Sequence, residues 1–218
     1  MRYAVYFCPA AESALGMFGR EWFATTSIPD ITEQRFQALM ADVRRYGWHA
    51  TLGAPFELAG HADEKTLHEK VVEVAQSSAP FDLLLRMDVL SGFLALRPDA
   101  DETRVNVLAE RCVRDLNPLR APISKAAWDR RADGLDDVER SLFKEFGYPY
   151  VLERFRFHMT LSAPATEDEE QTLRDYLLPR MAEHLIAHID ALTICREKEP
   201  GANFEPIARI ALGPGRIA

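Results

Sequence analysis

Apolar and polar positions change period along this chain in a way that predicts alternating strands and helices. Residues 2–8 (Arg-Tyr-Ala-Val-Tyr-Phe-Cys) are dense in aromatic and β-branched types and stop at Pro9, the pattern of a buried strand. Helical spacing follows at Ala10–Phe23. It returns at Thr32–Arg45, where Phe36, Leu39 and Val43 share a face behind a Thr32 cap. Gly47–Leu52 reads as a strand ended by Pro55, and Asp63–Ser77 as a helix with Leu67, Val71 and Val74 on its dry side. Strands are predicted at Phe81–Val89 and Phe93–Leu96 around Ser91-Gly92, then a helix at Glu102–Leu116. Leu119–Ala132 reads as irregular and Leu135–Phe146 as a helix stopped by Gly147. Phe155–Ser162 is predicted as a strand and Glu167–His188 as a helix with an acidic first turn. Strands at Ile189–Cys195 and Ile207–Leu212 complete the pattern. The expected class is α+β, and the length suits one large domain or two small lobes over residues 1–218.

Composition narrows the function classes. Among 218 residues, 47% are hydrophobic and 28% charged, which suits a packed core and excludes a disordered or collagen-like chain. A net charge of −8 without long basic tracts argues against binding long nucleic acid, which needs clustered Lys and Arg to release counterions. No stretch approaches the roughly 18 apolar residues of a membrane span, and residues 1–8 lack the form of a secretory leader, so a cytoplasmic location is expected. The three cysteines, Cys8, Cys112 and Cys195, form no CxxC pair and read as reduced packing residues.

Two strands carry the chemistry. Trp48-His49-Ala50-Thr51-Leu52 and Phe157-His158-Met159-Thr160-Leu161 both read aromatic, His, small or apolar, Thr, Leu. Strand side chains alternate, so each strand presents His and Thr on one face and sets its apolar residues into a core. Imidazole titrates near neutrality, and two of them can serve as base and acid on opposite sides of one phosphorus. The hydroxyls of Thr51 and Thr160 can donate to its non-bridging oxygens. This scheme requires neither a metal nor a cofactor.

The paired H-x-T-x motifs resemble those of the 2H phosphoesterase superfamily, which includes cyclic phosphodiesterases and RNA-ligase-like proteins. The wording of Arg45–Leu52 with Ala54-Pro55-Phe56, of Gly92–Leu96, of Gly147–Val151 and of Phe155–Leu161 is similar to one uncharacterised bacterial branch found beside phosphonate-utilisation genes. The resemblance implies a bilobal fold in which two mainly antiparallel sheets face a central cleft, with helices outside. It implies a metal-independent phosphodiesterase acting on a small cyclic or linear phosphodiester, such as a nucleoside or ribose cyclic phosphate. His49 would be the proton donor and His158 the acceptor. Gly53 stands where the resemblance leads one to expect Lys, leaving one phosphate contact unsupplied. A different class stays open: a module that binds nucleotides or phosphate ligands without turnover.

Other candidates are weaker. By strand parity Arg156 shares the face of His158 and can offset phosphate charge or form a rim ion pair, while Tyr6, Tyr148 and Tyr150 can stack on a base or sugar, with core or lobe packing the stronger reading for them. Arg2, Arg97, Arg120, Lys125, Arg130 and Arg131 are candidates for a second phosphate contact. His184 and His188 stand four apart, a spacing that can hold a metal, but the Glu of a zincin helix is missing between them. His61 and His68 read as surface residues.

Overall fold

Local capping fixes most helix starts. In the computed structural model, which describes residues 1–181 and 185–214, side chains of Ser13, Thr32, Asp63, Ser124 and Asp136 each accept from the backbone N–H three residues on. The helices they open are α1 (Ala14–Ala24), α2 (Glu33–Tyr46), α3 (Glu64–Gln76), α5 (Lys125–Arg131) and α6 (Asp137–Phe146). Helix α4 (Thr103–Leu116) lacks a side-chain cap, and α7 (Glu167–Met181) begins with four carboxylates at its positive end.

The strands are β1 (Arg2–Phe7), β2 (Ala50–Phe56), β3 (Phe81–Leu90), β4 (Phe93–Pro98), β5 (Met159–Pro164), β6 (Ile186–Ile189), β7 (Ala191–Glu197) and β8 (Glu205–Ala211). They form one antiparallel sheet in the order β6-β3-β4-β5-β2-β1-β7-β8. The two sheets implied by the resemblance are thus two four-stranded halves, and they join through a single residue pair, Ala50 opposite Met159. Helix α2 packs on β5, α4 on β2, and α3 on β7 and β8, so one face of the sheet is buried beneath helices. Phe157, Met159 and Leu161 are fully buried in that core, as are Ala50 and, nearly, Leu52. No helix among the described residues is long and apolar enough to cross a membrane.

Three expectations need correction. Leu119–Ala132 is not irregular throughout, because Ser124 caps α5 and Trp128 stacks on Phe143 with ring centroids 5.5 Å apart. Seven residues are too short for a helical period to show in the sequence. The helix expected over Glu167–His188 ends at Met181, and Ile186–Ile189 instead pairs with β3, placing Asp82 opposite His188. Its alternating exposure is that of an edge strand, and it puts the His188 ring 2.6 Å from Asp82. His184, the other half of the considered metal pair, lies outside the described residues. Finally, β2 runs through Pro55 to Phe56, because beyond Ala50 it is paired only with β1 and the proline's missing donor is not needed on the open edge.

Candidate active site

The seam between the two halves builds the site. With Ala50 opposite Met159, antiparallel pairing sets His49 opposite Thr160 and Thr51 opposite His158, all on the face turned away from the core. Directly opposed Cβ atoms on such a pair are about 5 Å apart and diagonal neighbours about 7–8 Å apart. The four side chains therefore occupy the corners of a square, imidazoles on one diagonal and hydroxyls on the other. All four line one cleft of about 260 Å³, together with Arg2, Tyr6, Tyr46, Arg131 and Tyr148.

Both imidazoles are held in the same way. Nδ1 of His49 lies 2.8 Å from the Gly47 carbonyl oxygen, and Nδ1 of His158 lies 2.8 Å from that of Arg156. A carbonyl only accepts, so each Nδ1 carries the hydrogen and each Nε2 is left as the working atom. His49 Nε2 is 3.3 Å from the Thr51 hydroxyl. Neither histidine lies within a regular strand; each occupies the extended residue immediately before one, where its ring can fold back on the carbonyl two positions earlier.

Gly47 makes the first anchor possible. It ends α2 at φ 77° and ψ 176°, a region essentially confined to glycine, and this turn aims its carbonyl at His49. Gly47→Ala is expected to cost about 1–3 kcal/mol of strain. It should also lower turnover more than binding, measured as a fall in kcat at little-changed KM. Unchanged kcat in the folded variant would show that the anchor is dispensable.

Aromatic rings press His49 into place. The Tyr6 ring centroid is 4.0 Å away and the Tyr46 centroid 6.2 Å, with Tyr46 in turn stacked on Phe204. Tyr6 is only 1% exposed and buttresses His49, in keeping with the packing reading of this residue. On the other side, Phe93 lies 5.5 Å from His158. Burial pushes His49 down to about 4, offset in part by the Gly47 carbonyl and deepened by the His158 charge. Burial also lowers His158, with a smaller contribution from the Arg97 cation. Both shifts favour the neutral imidazole.

The remaining expected residues separate. Arg156 and Tyr150 line an adjoining groove of about 470 Å³ that shares Thr51, His158 and Tyr148 with the cleft. Arg156 is exposed and donates to the Phe155 carbonyl at 2.8 Å, and Tyr150 stands edge-on to Tyr148. Of the arginines and lysine considered for a second phosphate, Arg2 and Arg131 reach the cleft itself. Arg97 is paired with Asp88, Lys125 with Asp129, and Arg120 holds the Ala121 and Glu145 carbonyls. Gly53 corrects another expectation: β2 bulges between Thr51 and Gly53, so a Cβ at 53 would meet Val5 and Cys112 on the core side. A lysine on this backbone would not point at the phosphate position. Tyr46 was missed, and its only signal in sequence is an aromatic residue placed directly before the Gly47 turn.

The fold that carries this seam is one already known in solved structures. The fold matches E. coli LigT in its apo form over 97% of each chain, with a TM-score of 0.50 and 15% identity. A second structure, described as a phosphoesterase, matches over 97% of this chain and 98% of its own, also at 0.50 and 15%. TT0787 of Thermus thermophilus matches at 0.50 with 13% identity, covering 98% of this chain and all of that one. The chain belongs to the family described as protein of unknown function DUF1045, whose profile matches residues 51–205. It is also 36% identical over 228 residues to a protein of Janthinobacterium sp. (strain Marseille) named ribose 1,5-bisphosphate phosphokinase PhnN. It is 35% identical over 215 residues to one of the same name from Laribacter hongkongensis (strain HLHK9). These alignments take in 96% and 94% of this chain, which spans about half the length of either relative.

Proposed function

We propose that the protein is a metal-independent phosphodiesterase that opens a small cyclic or linear phosphodiester by paired His acid-base catalysis. One observation carries the reading: two imidazoles on the diagonal of a four-residue square, each anchored through Nδ1 and each presenting Nε2 to the same cleft. A phosphoryl group at the centre meets one Nε2 as the base that draws a proton from water. The other Nε2 is the acid that protonates the departing oxygen. The bond from phosphorus to that oxygen breaks as the bond to water oxygen forms, and the next turnover begins once the base has released its proton to solvent and the acid has regained one. Thr51 and Thr160 donate to the non-bridging oxygens, whose charge grows in the transition state.

Of the two rings His49 is held more firmly neutral, which favours His49 as base and His158 as acid, the reverse of the assignment implied by the resemblance. An anionic substrate restores a proton to the less buried ring. The name of the longer relatives makes a ribose phosphate the first substrate to try, and a place in phosphonate metabolism rests on the sequence resemblance. The phosphokinase activity in that name is assigned to the half of those relatives that lies outside the matched region. No G-x-x-x-x-G-K-[ST] phosphate loop occurs in this sequence.

The test is hydrolysis of a panel of 2′,3′-cyclic nucleotides and phosphoribosyl cyclic phosphate in the presence of chelator. Turnover that survives chelation supports the reading. Tight binding without product would instead identify a ligand-binding module, and loss of activity on chelation would overturn the metal-independent scheme. The pH profile is a second check. A neutral base is required, so kcat/KM falls on the acid side as His49 protonates near 4; a protonated acid is required, so it falls again as His158 loses its proton below the usual 6.5. The expected kcat/KM profile is a bell with its maximum between those two values. An activity that keeps rising through pH 8 would refute the paired roles.

A further inference from the structure

Two arginines, Arg2 and Arg131, line the cleft onto which the square opens. Glu197 is buried and sits between two guanidiniums, Arg2 through Nε and Arg45 at 2.7 Å, and it also accepts from the Gly201 N–H. One carboxylate against two cations leaves an excess of one positive charge, and Arg2 is the member of the pair that lines the cleft. Its Nε is committed to Glu197 and its body lies over the Phe204 ring, which fixes the direction of the guanidinium. Arg131, at the last turn of α5, lines the same cleft. Nearby Lys125, Arg140 and Arg154 are paired with Asp129, Asp137 and Asp136, whereas Arg131, like Arg130 beside it, makes no ion pair among the described residues, and of these two Arg131 is the one that lines the cleft. The chain carries a net charge of −8, so two cations facing one cleft focus an anion there against the field of the whole surface.

The His-Thr square already accounts for one phosphoryl group with its own donors. We propose that Arg2 and Arg131 form a second anion subsite in the same cleft, and that the preferred substrate is a phosphodiester bearing an additional phosphate monoester elsewhere on its sugar. This rests on the phosphodiesterase reading and adds to it the charge class of the substrate. Tyr46 and Tyr148 line the same cleft. Among the described residues, the adjoining groove offers one unpaired cation, Arg156, against Glu139, and its Arg154 is held by Asp136.

The experiment compares adenosine 2′,3′-cyclic phosphate with its 5′-phosphorylated form, in wild type and in Arg131→Ala, an exposed position whose loss leaves the core intact. The wild type is expected to favour the 5′-phosphorylated substrate by about 10- to 100-fold in kcat/KM, the value of a charge-assisted contact. The preference should collapse toward one in Arg131→Ala, through KM, and return in part with Arg131→Lys. Equal kcat/KM for the two substrates in wild type, or a preference unmoved by Arg131→Ala, overturns the subsite. Calorimetric binding of adenosine 3′,5′-bisphosphate against adenosine 3′-monophosphate gives a readout independent of turnover. Tighter bisphosphate binding that is lost in Arg131→Ala supports the subsite even if neither cyclic substrate is hydrolysed, an outcome that counts against the phosphodiesterase reading alone. Equal affinity for both ligands in wild type refutes the subsite whatever the catalytic result.

Discussion

Replacing His49 or His158 with alanine is expected to lower kcat for cyclic phosphodiester hydrolysis by about 10²–10⁴-fold, the usual contribution of a positioned acid or base. The effects should not add in the double variant, because either ring alone leaves the reaction without half of its proton path. The two losses are distinguishable by the leaving group. A p-nitrophenyl phosphodiester expels an anion that needs no proton, so it should restore most of the rate to the variant that lacks the acid and little to the variant that lacks the base. With His49 buried and held down to about 4, rescue is expected in His158→Ala and not in His49→Ala. Rescue in the opposite variant would return the donor role to His49. Rescue in both or in neither would remove the distinction between acid and base, and binding of inorganic phosphate to each variant would show whether the cleft itself survives.

Phe157→Ala is expected to reduce stability by about 3–5 kcal/mol, the cost of deleting a buried aromatic side chain and leaving a cavity. Phe157 is 0% exposed, directly precedes His158, and belongs to the same buried cluster as Met159 and Leu161. For a chain of this length that corresponds to a midpoint about 6–20 °C lower in thermal unfolding. Phe157→Leu, which keeps much of the volume, should recover most of it. The consequence for function follows from position. The strand that carries His158 and Thr160 is held flat by what lies beneath it, so activity in Phe157→Ala should fall further than the folded fraction explains. A Tm within about 2 °C of wild type, less than any loss of this size produces, would mean that the core closes over the missing ring, and that β5 is fixed chiefly by its pairing with β4.

The alternation within each motif was legible at once, since Phe157, Met159 and Leu161 had to share a face opposite His158 and Thr160, and their burial follows that parity. Helix starts at Thr32 and Asp63 were equally legible, because a cap is a local contact over three residues. Local rules also misled. Leu185 to His188 continues an apolar pattern compatible with helix, yet those backbone groups are claimed by β3, a partner about a hundred residues away. Pro55 marks a strand end only if the donor it lacks is needed, and whether it is needed depends on which edge of β2 is covered.

By itself, the sequence determined the chemistry at hand: two imidazoles, two hydroxyls and the face each would take, because side-chain alternation is a property of one strand. Only the tertiary structure decided that the strands meet at Ala50 and Met159, which turns two separate His-Thr pairs into one square. It alone brought Tyr46, Arg2 and Arg131 to that square and turned Gly53 toward the core. The division has a physical basis. Periodicity and capping act over a few residues and are written into each segment, whereas register across a seam is set by how two distant halves bury their apolar faces together.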